Sequence, residues 1–315
     1  MNFELSEDQR AVLDAVDRLV ERHRTTLAVP ERYHYSVELE RDLEAAGFFD
    51  CMAIEELGTV TACASVMAVA RLPLCAETAA SSLIAPWLCP ELPRPFALLW
   101  NRDDAPTRYL TVARTVIRVR GDSVDFASIG AEHVEHVDSI FAYPMGVLRS
   151  ASSLPWKPLP HADVARVRNF WRIALAAEIT GCLDAALASV LEHVKDRRQF
   201  GRALGSFQAV QHRLAECATL VQGAKWLTLK AASTGTALDS ALAAGRAQDI
   251  ATRISYDLHQ FMGAMGLTLE HPLHRWTYRV KLLRAELGGA DSQLIAAAEA
   301  AWPGTTHNAT EGIAS

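Results

Sequence analysis

The sequence predicts a mainly α protein, on three observations. Apolar residues recur at helix spacing through both outer parts of the chain, a short middle stretch changes to β-rich runs, and prolines gather where the pattern changes. The chain has 315 residues, half of them hydrophobic, which is enough for a large core and suggests about two domains by length alone.

The elements follow in order. Ser6, Glu7, Asp8 and Gln9 have the form of a capping box, and Val12, Leu13, Val16, Leu19 and Val20 repeat behind it at helix spacing. A second helix is expected over 37–46, ended by Gly47. Alanine-rich stretches at 60–70 and 77–88 read as two buried helices, and Pro90 and Pro93 close an N-terminal helical domain at 1–92. A reduced β domain at 93–162 contains β-rich runs at 109–112, 116–119 and 124–126, with Gly121-Asp122 as a hairpin turn. Long helical segments are expected at 164–193, 210–232, 240–262 and 272–301. Val210, Leu214, Cys217, Val221 and Ala224 form one stripe of the second, and short breaks favour an antiparallel four-helix bundle over 163–302. Asp239 reads as the N-cap of the third segment, and the small, polar residues 303–315 as a disordered tail.

A net charge of −6 argues against nucleic acid as the main partner. Neither a secretion signal nor a membrane span is read, which points to the cytoplasm. The six cysteines (Cys51, Cys63, Cys75, Cys89, Cys182, Cys217) have no CxxC spacing and read as small buried hydrophobes, with no metal site.

The most informative stretch is 197–216, RRQFGRALGSFQAVQHRLAE. Arg197, Arg198 and Arg202 surround Phe200 and two glycines. A guanidinium makes bidentate bonds to phosphate oxygens, and glycine lets a backbone approach a ligand closely. The same composition also suits a solvated basic turn. The ordered string resembles the FAD-binding signature of the acyl-CoA dehydrogenase family: an Arg-x-x-Phe-Gly turn (Arg197, Phe200, Gly201), a Phe-Gln pair (Phe207, Gln208) and a Gln-x-x-Leu-Ala helix (Gln211, Leu214, Ala215). A second family segment follows at Gln260, Gly263, Gly266, Thr268, Glu270 and Arg275, with Ala264 in place of the family's second glycine.

The resemblance implies an acyl-CoA dehydrogenase-like fold and an FAD shared between two protomers. Arg197 would hold the diphosphate, Gln199 and Phe200 would line the adenosine side, Gln208 would bond nearby, and Gln260 with Gly263 would serve from a second protomer. The family's base is a glutamate, and its usual position falls here on Leu287. Glu286 lies one residue earlier, about 100° round a helix, and reads as a surface carboxylate or a displaced base. The flavin-facing loop of the middle domain has no counterpart at 96–104, where Trp100 reads as a core tryptophan. This combination resembles the small subunits of actinobacterial α2β2 heterotetrameric acyl-CoA dehydrogenases of the steroid side-chain type. Their Leu-Pro-x-x-Glu-Thr turn is similar to Leu72-Pro73-Leu74-Cys75-Ala76-Glu77-Thr78, which has one more residue between Pro73 and Glu77. The implied function is FAD-dependent α,β-dehydrogenation of an acyl-CoA, in fatty acid or steroid catabolism. Its implied partners are a second dehydrogenase subunit, which brings the base, and an electron-transfer acceptor. A self-sufficient homomeric enzyme with an atypical base, or a flavin-free scaffold, are the alternatives.

Overall fold

The computed structural model describes residues 4–24 and 31–304, so the expected tail lies, from 305 onward, outside the described residues. Five helices come first: α1 (Glu7–Arg24), α2 (Val37–Ala45), α3 (Gly58–Ala70), α4 (Ala79–Leu83) and α5 (Ala85–Leu88). The capping box forms, with Gln9 N–H donating to Ser6 Oγ at 3.2 Å and Ser6 N–H to Gln9 Oε1 at 3.0 Å. One helix was expected over 77–88, and the chain makes two. Pro86 has no N–H to continue the ladder, so the helix restarts after Ile84 with Pro86 in its first turn.

Seven strands follow: β1 (Phe96–Trp100), β2 (Thr107–Arg108), β3 (Thr115–Arg120), β4 (Ser123–Ser128), β5 (Val134–His136), β6 (Met145–Leu148) and β7 (Lys157–Pro158). They form a four-stranded sheet in the order β1-β3-β4-β7 and a three-stranded sheet, β2-β6-β5. The β3–β4 hairpin turns at Gly121-Asp122, as its sequence predicts. The strand expected over 109–112 is instead the two-residue β2, because Tyr109 adopts φ 65° and turns the chain away. Its ring goes into the core, edge-on to Tyr143 at 5.2 Å, with its hydroxyl donating to Ala76 O at 3.0 Å. Alternation along β1 divides its side chains between two environments. Ala97 and Leu99 join a small core with Val116, Ala127 and Leu148, while Phe96, Leu98 and Trp100 face the helices.

The C-terminal part comprises α6 (Val164–Asp196), a hairpin of β8 (Arg198–Gln199) and β9 (Arg202–Ala203), then α7 (Gln208–Thr234), α8 (Ala237–Met262), α9 (Leu273–Leu283) and α10 (Gly289–Ala301). By length and composition α6 could cross a membrane, yet its 33 residues are mostly buried among the other helices. Gly181 permits its closest approach to α3, since a Cβ there would lie 2.3 Å from Met67 O. The expected fourth bundle helix is broken into α9 and α10. Leu287, Gly288 and Gly289 have φ of 54°, 90° and 76°, outside the right-handed helical region. Thr236, not Asp239, caps α8: its hydroxyl accepts from Asp239 N–H, while the Asp239 carboxylate pairs with Lys230 at 2.8 Å.

Two buried arginines of α9 dock the N-terminal helices. The Arg279 guanidinium meets Leu74 O at 3.1 Å, Ala70 O at 3.2 Å and Leu72 O at 2.6 Å, and Arg275 meets Pro73 O at 3.2 Å. These carbonyls end α3 and form the turn after it, where the helix dipole favours a cation. Each bond to a charged donor is worth about 1.5–3 kcal/mol. Replacement Arg279→Met is therefore expected to cost about 3 kcal/mol or more, read as a lower urea midpoint at unchanged m-value. Loss of the half-exposed Arg71–Asp184 pair through Arg71→Ala should cost less than about 1 kcal/mol in the same measurement.

Candidate functional site

Two cavities gather the chemically interesting residues. The first, about 330 Å³, lies between the β segment and the helices. Phe96, Leu98 and Trp100 form one wall, with Trp171 of α6, Leu282 of α9 and Leu287 opposite. Trp100 is half-buried and meets Trp171 edge-on at 5.6 Å, so it lines the cavity instead of filling the core.

A buried ion triad closes one side. Arg108 Nε lies 2.7 Å from Glu286 Oε1, and Arg108 Nη1 lies 2.7 Å from Glu178 Oε2. Trp171 Nε1 donates to Glu286 Oε2 at 3.3 Å, and the Tyr143 hydroxyl to Glu178 Oε1 at 3.4 Å. Burial opposes the Arg108 charge, but Glu178 and Glu286 outweigh it and hold the guanidinium protonated. Burial likewise pushes the Glu178 carboxyl upward, against the pull of Arg108. Glu77, whose pKa burial also raises, accepts from Ala80 N–H at 2.8 Å, Ser81 Oγ at 2.5 Å and Phe96 N–H at 3.3 Å. Glu286 is thus no surface carboxylate; it borders the cavity with its oxygens committed. Leu287, beside it, offers the cavity only hydrocarbon.

The second cavity, about 370 Å³, is bordered by Arg197, Gln199, Gln260, Gly263 and Ala264. Gln260 and Gly263, assigned from sequence to a second protomer, already border the same cavity as Arg197 within one chain. Phe200 and Gly201, with φ of 51° and 80°, form the two-residue turn of the β8–β9 hairpin, and the Phe200 ring is 87 % exposed. A bulky residue in this conformation is uncommon. Phe200 and Gln208 lie outside the cavity lining; Phe200 packs edge-on to Phe207 at 6.1 Å, and Gln208 Nε2 sits 3.4 Å from His212 Nε2. Gly263 ends α8 at φ 61°, ψ −141°, a conformation suited to glycine. Its N–H is used on His259 O, so it presents an open Cα instead of a donor. Arg197 has no side-chain hydrogen bond or ion pair among the described residues, and its charge, after burial, keeps the His193 pKa low. An exposed, unpaired guanidinium beside two amides suits the diphosphate of a nucleotide cofactor.

The sequence missed Arg108, Tyr143 and Trp171 as site residues. Glu178 carried a readable signal, a lone carboxylate in the apolar run 173–183, since an unpaired buried charge is not tolerated. Arg108 carried none. Arg108→Met would leave Glu178 and Glu286 without their cation and should cost about 3–5 kcal/mol at neutral pH. Without Arg108 the Glu178 pKa rises further above its usual 4.5, so the folded variant retains a proton that the unfolded chain releases. Its deficit should grow as pH rises above about 4.5, until Glu178 ionises in the folded form. Melting curves from pH 5 to about pH 8 check this, and a pH-independent deficit would exclude the ion triad as its cause.

Residues 164–301 match the family described as Acyl-CoA dehydrogenase, C-terminal domain. The short-chain specific acyl-CoA dehydrogenase of Megasphaera elsdenii is 33% identical over 129 residues, covering 39% of this chain and 34% of that protein. Acyl-CoA dehydrogenase IpdE2 of Mycolicibacterium smegmatis is 27% identical over 181 residues, 56% of this chain and 58% of that protein. The matches thus span less than two thirds of the length of these relatives. Among solved structures, the ChsE4-ChsE5 complex from Mycobacterium tuberculosis is similar in fold, with a TM-score of 0.74 at 20% identity over 94% of this chain and 97% of that one. Residues 164–301 thus match the acyl-CoA dehydrogenase C-terminal domain, and the fold of the chain is similar to that of the ChsE4-ChsE5 complex.

Proposed function

We propose that this chain is the flavin-sharing subunit of a heteromeric acyl-CoA dehydrogenase, and that its partner subunit supplies the catalytic glutamate. The carrying observation is the contrast between the two cavities. The Arg197 cavity offers an unpaired cation and two amides, whereas Leu287 stands at the usual place of the base and Glu77, Glu178 and Glu286 are all engaged. Bound FAD would supply hydride acceptance from the β carbon of the acyl thioester. Arg197 would hold the diphosphate through charge-assisted bonds, with Gln199, Gln260 and the open Cα of Gly263 at the same cavity. Phe200 and Gln208 flank this place at the protein surface, where a second subunit can complete the adenosine side. Trp100, Trp171 and Leu287 exclude water from this chain's own first cavity but abstract no proton there.

The resemblance to steroid side-chain dehydrogenase subunits makes a bulky acyl-CoA the substrate class and an electron-transfer protein the acceptor. The solved neighbour named as a complex of two gene products supports a heteromeric assembly. One observation favours a self-sufficient enzyme: Glu286 borders the first cavity. Arg108 and Trp171 nevertheless occupy both of its oxygens.

Co-expression with a full-length dehydrogenase subunit should give a yellow, active complex, and the chain alone little flavin. In that complex Arg197→Ala should weaken FAD binding about 10–100-fold, the equivalent of one charge-assisted bond, with the fold intact by circular dichroism. Unchanged flavin content would remove Arg197 from the cofactor site. Glu286→Gln should leave turnover nearly unchanged; a loss of about a hundredfold or more, the scale of a lost general base, would instead support the self-sufficient reading.

A further inference from the structure

A third cavity, about 280 Å³, lies between α8 and α9 and has no part in the function proposed above. Helix α9 turns Leu282 toward the first cavity, while Tyr278 and Lys281, three residues apart, line this groove from another face. Helix α8 contributes Ser255, Tyr256 and His259, which the same spacing places on one stripe. We propose that this groove binds a phosphorylated ligand that carries a ring, of the nucleotide class.

Charge is the first reason. Lys281 and Arg284 both line the groove, and none of its lining residues is acidic. Arg284 donates to Thr252 Oγ1 at 2.5 Å but meets no carboxylate, and Lys281 has no ion pair among the described residues. Two cations are therefore held side by side without a counter-charge, one a planar fork and the other a mobile point charge, a combination suited to phosphate oxygens. The hydroxyls of Ser255 and Tyr256 add donors from the α8 side of the groove.

Shape is the second. The Tyr256 ring is 69 % exposed at the rim, and Ala251 and Val280 give the groove a buried apolar floor. An exposed aromatic ring beside such a floor offers a stacking surface. His259, whose pKa burial lowers, pairs through Nε2 with Thr277 Oγ1 at 2.9 Å and so joins the two helices across the groove. A phosphate at the cations and a ring on Tyr256 would use both halves together.

The test is calorimetric titration of ADP, inorganic pyrophosphate and adenosine into the full chain carrying Arg197→Ala, which removes the cation of the other anion-binding cavity. ADP is expected to bind at one site. Lys281→Ala with Arg284→Ala should weaken it tenfold or more, and Tyr256→Ala should reduce ADP affinity while sparing pyrophosphate. All three side chains lie at the surface, and circular dichroism checks that the variants fold. Absence of ADP binding to the Arg197→Ala chain would overturn the proposal, as would equal binding of adenosine and ADP or indifference to the paired charge removal. Flavin content of the Lys281→Ala, Arg284→Ala complex reports separately on the proposed FAD site, which should be unaffected.

Discussion

The placement of Arg108 constrains more of this molecule than any other single interaction. It stands on a two-residue strand, yet its guanidinium reaches Glu178 in the middle of α6 and Glu286 at the break between α9 and α10. Burying three charged groups costs several kcal/mol per ion unless they meet at good geometry. Only one arrangement of the β segment against the helices provides that meeting. The same contact decides the chemistry of the first cavity, because both carboxylates spend their oxygens on Arg108 and its neighbours. The contact that places the β segment thus also engages both carboxylates.

A second set of contacts holds the N-terminal helices through backbone carbonyls. Arg279 and Arg275 meet carbonyl dipoles at the end of α3 and along the turn that follows, and Arg275 Nε also meets Glu31 O at 3.2 Å. Glu77, three residues beyond Leu74, turns the opposite way, taking N–H groups from the start of α4 and from β1. The turn from Leu72 to Thr78 is therefore a junction: its carbonyls face α9 and its carboxylate ties α4 to the sheet. This junction brings Phe96, at the start of β1, to the cavity wall.

The break after α9 joins the two themes. Gln248 Nε2 donates to Leu283 O at 3.0 Å and to Glu286 O at 2.9 Å, and Arg172 Nε meets Gln293 Oε1 at 2.6 Å. The Gln248 bonds satisfy carbonyls that a continuous helix would have paired internally, and Arg172 holds Gln293, whose Nε2 donates to Leu287 O. They hold three successive left-handed residues in place, with Leu287 toward the cavity.

Much of the helical architecture was legible because periodicity, caps and breakers are local: the Ser6–Gln9 box, the Gly47 stop, the Gly121 turn and the stripe of α7 each follow from a few neighbouring residues. The Arg197 turn and the Gln260 segment could also be read as ligand-binding stretches. The sequence by itself determined the order and spacing of these two segments, and the Glu286-Leu287-Gly288-Gly289 string after α9. Only the tertiary structure decided that the two segments border one cavity of one chain, that Glu286 is held by Arg108, and that α9 and α10 are separate. The physical reason is that burial and pairing of charge depend on residues distant along the chain, as with Arg108 and Glu286, and no local pattern records which of them will meet.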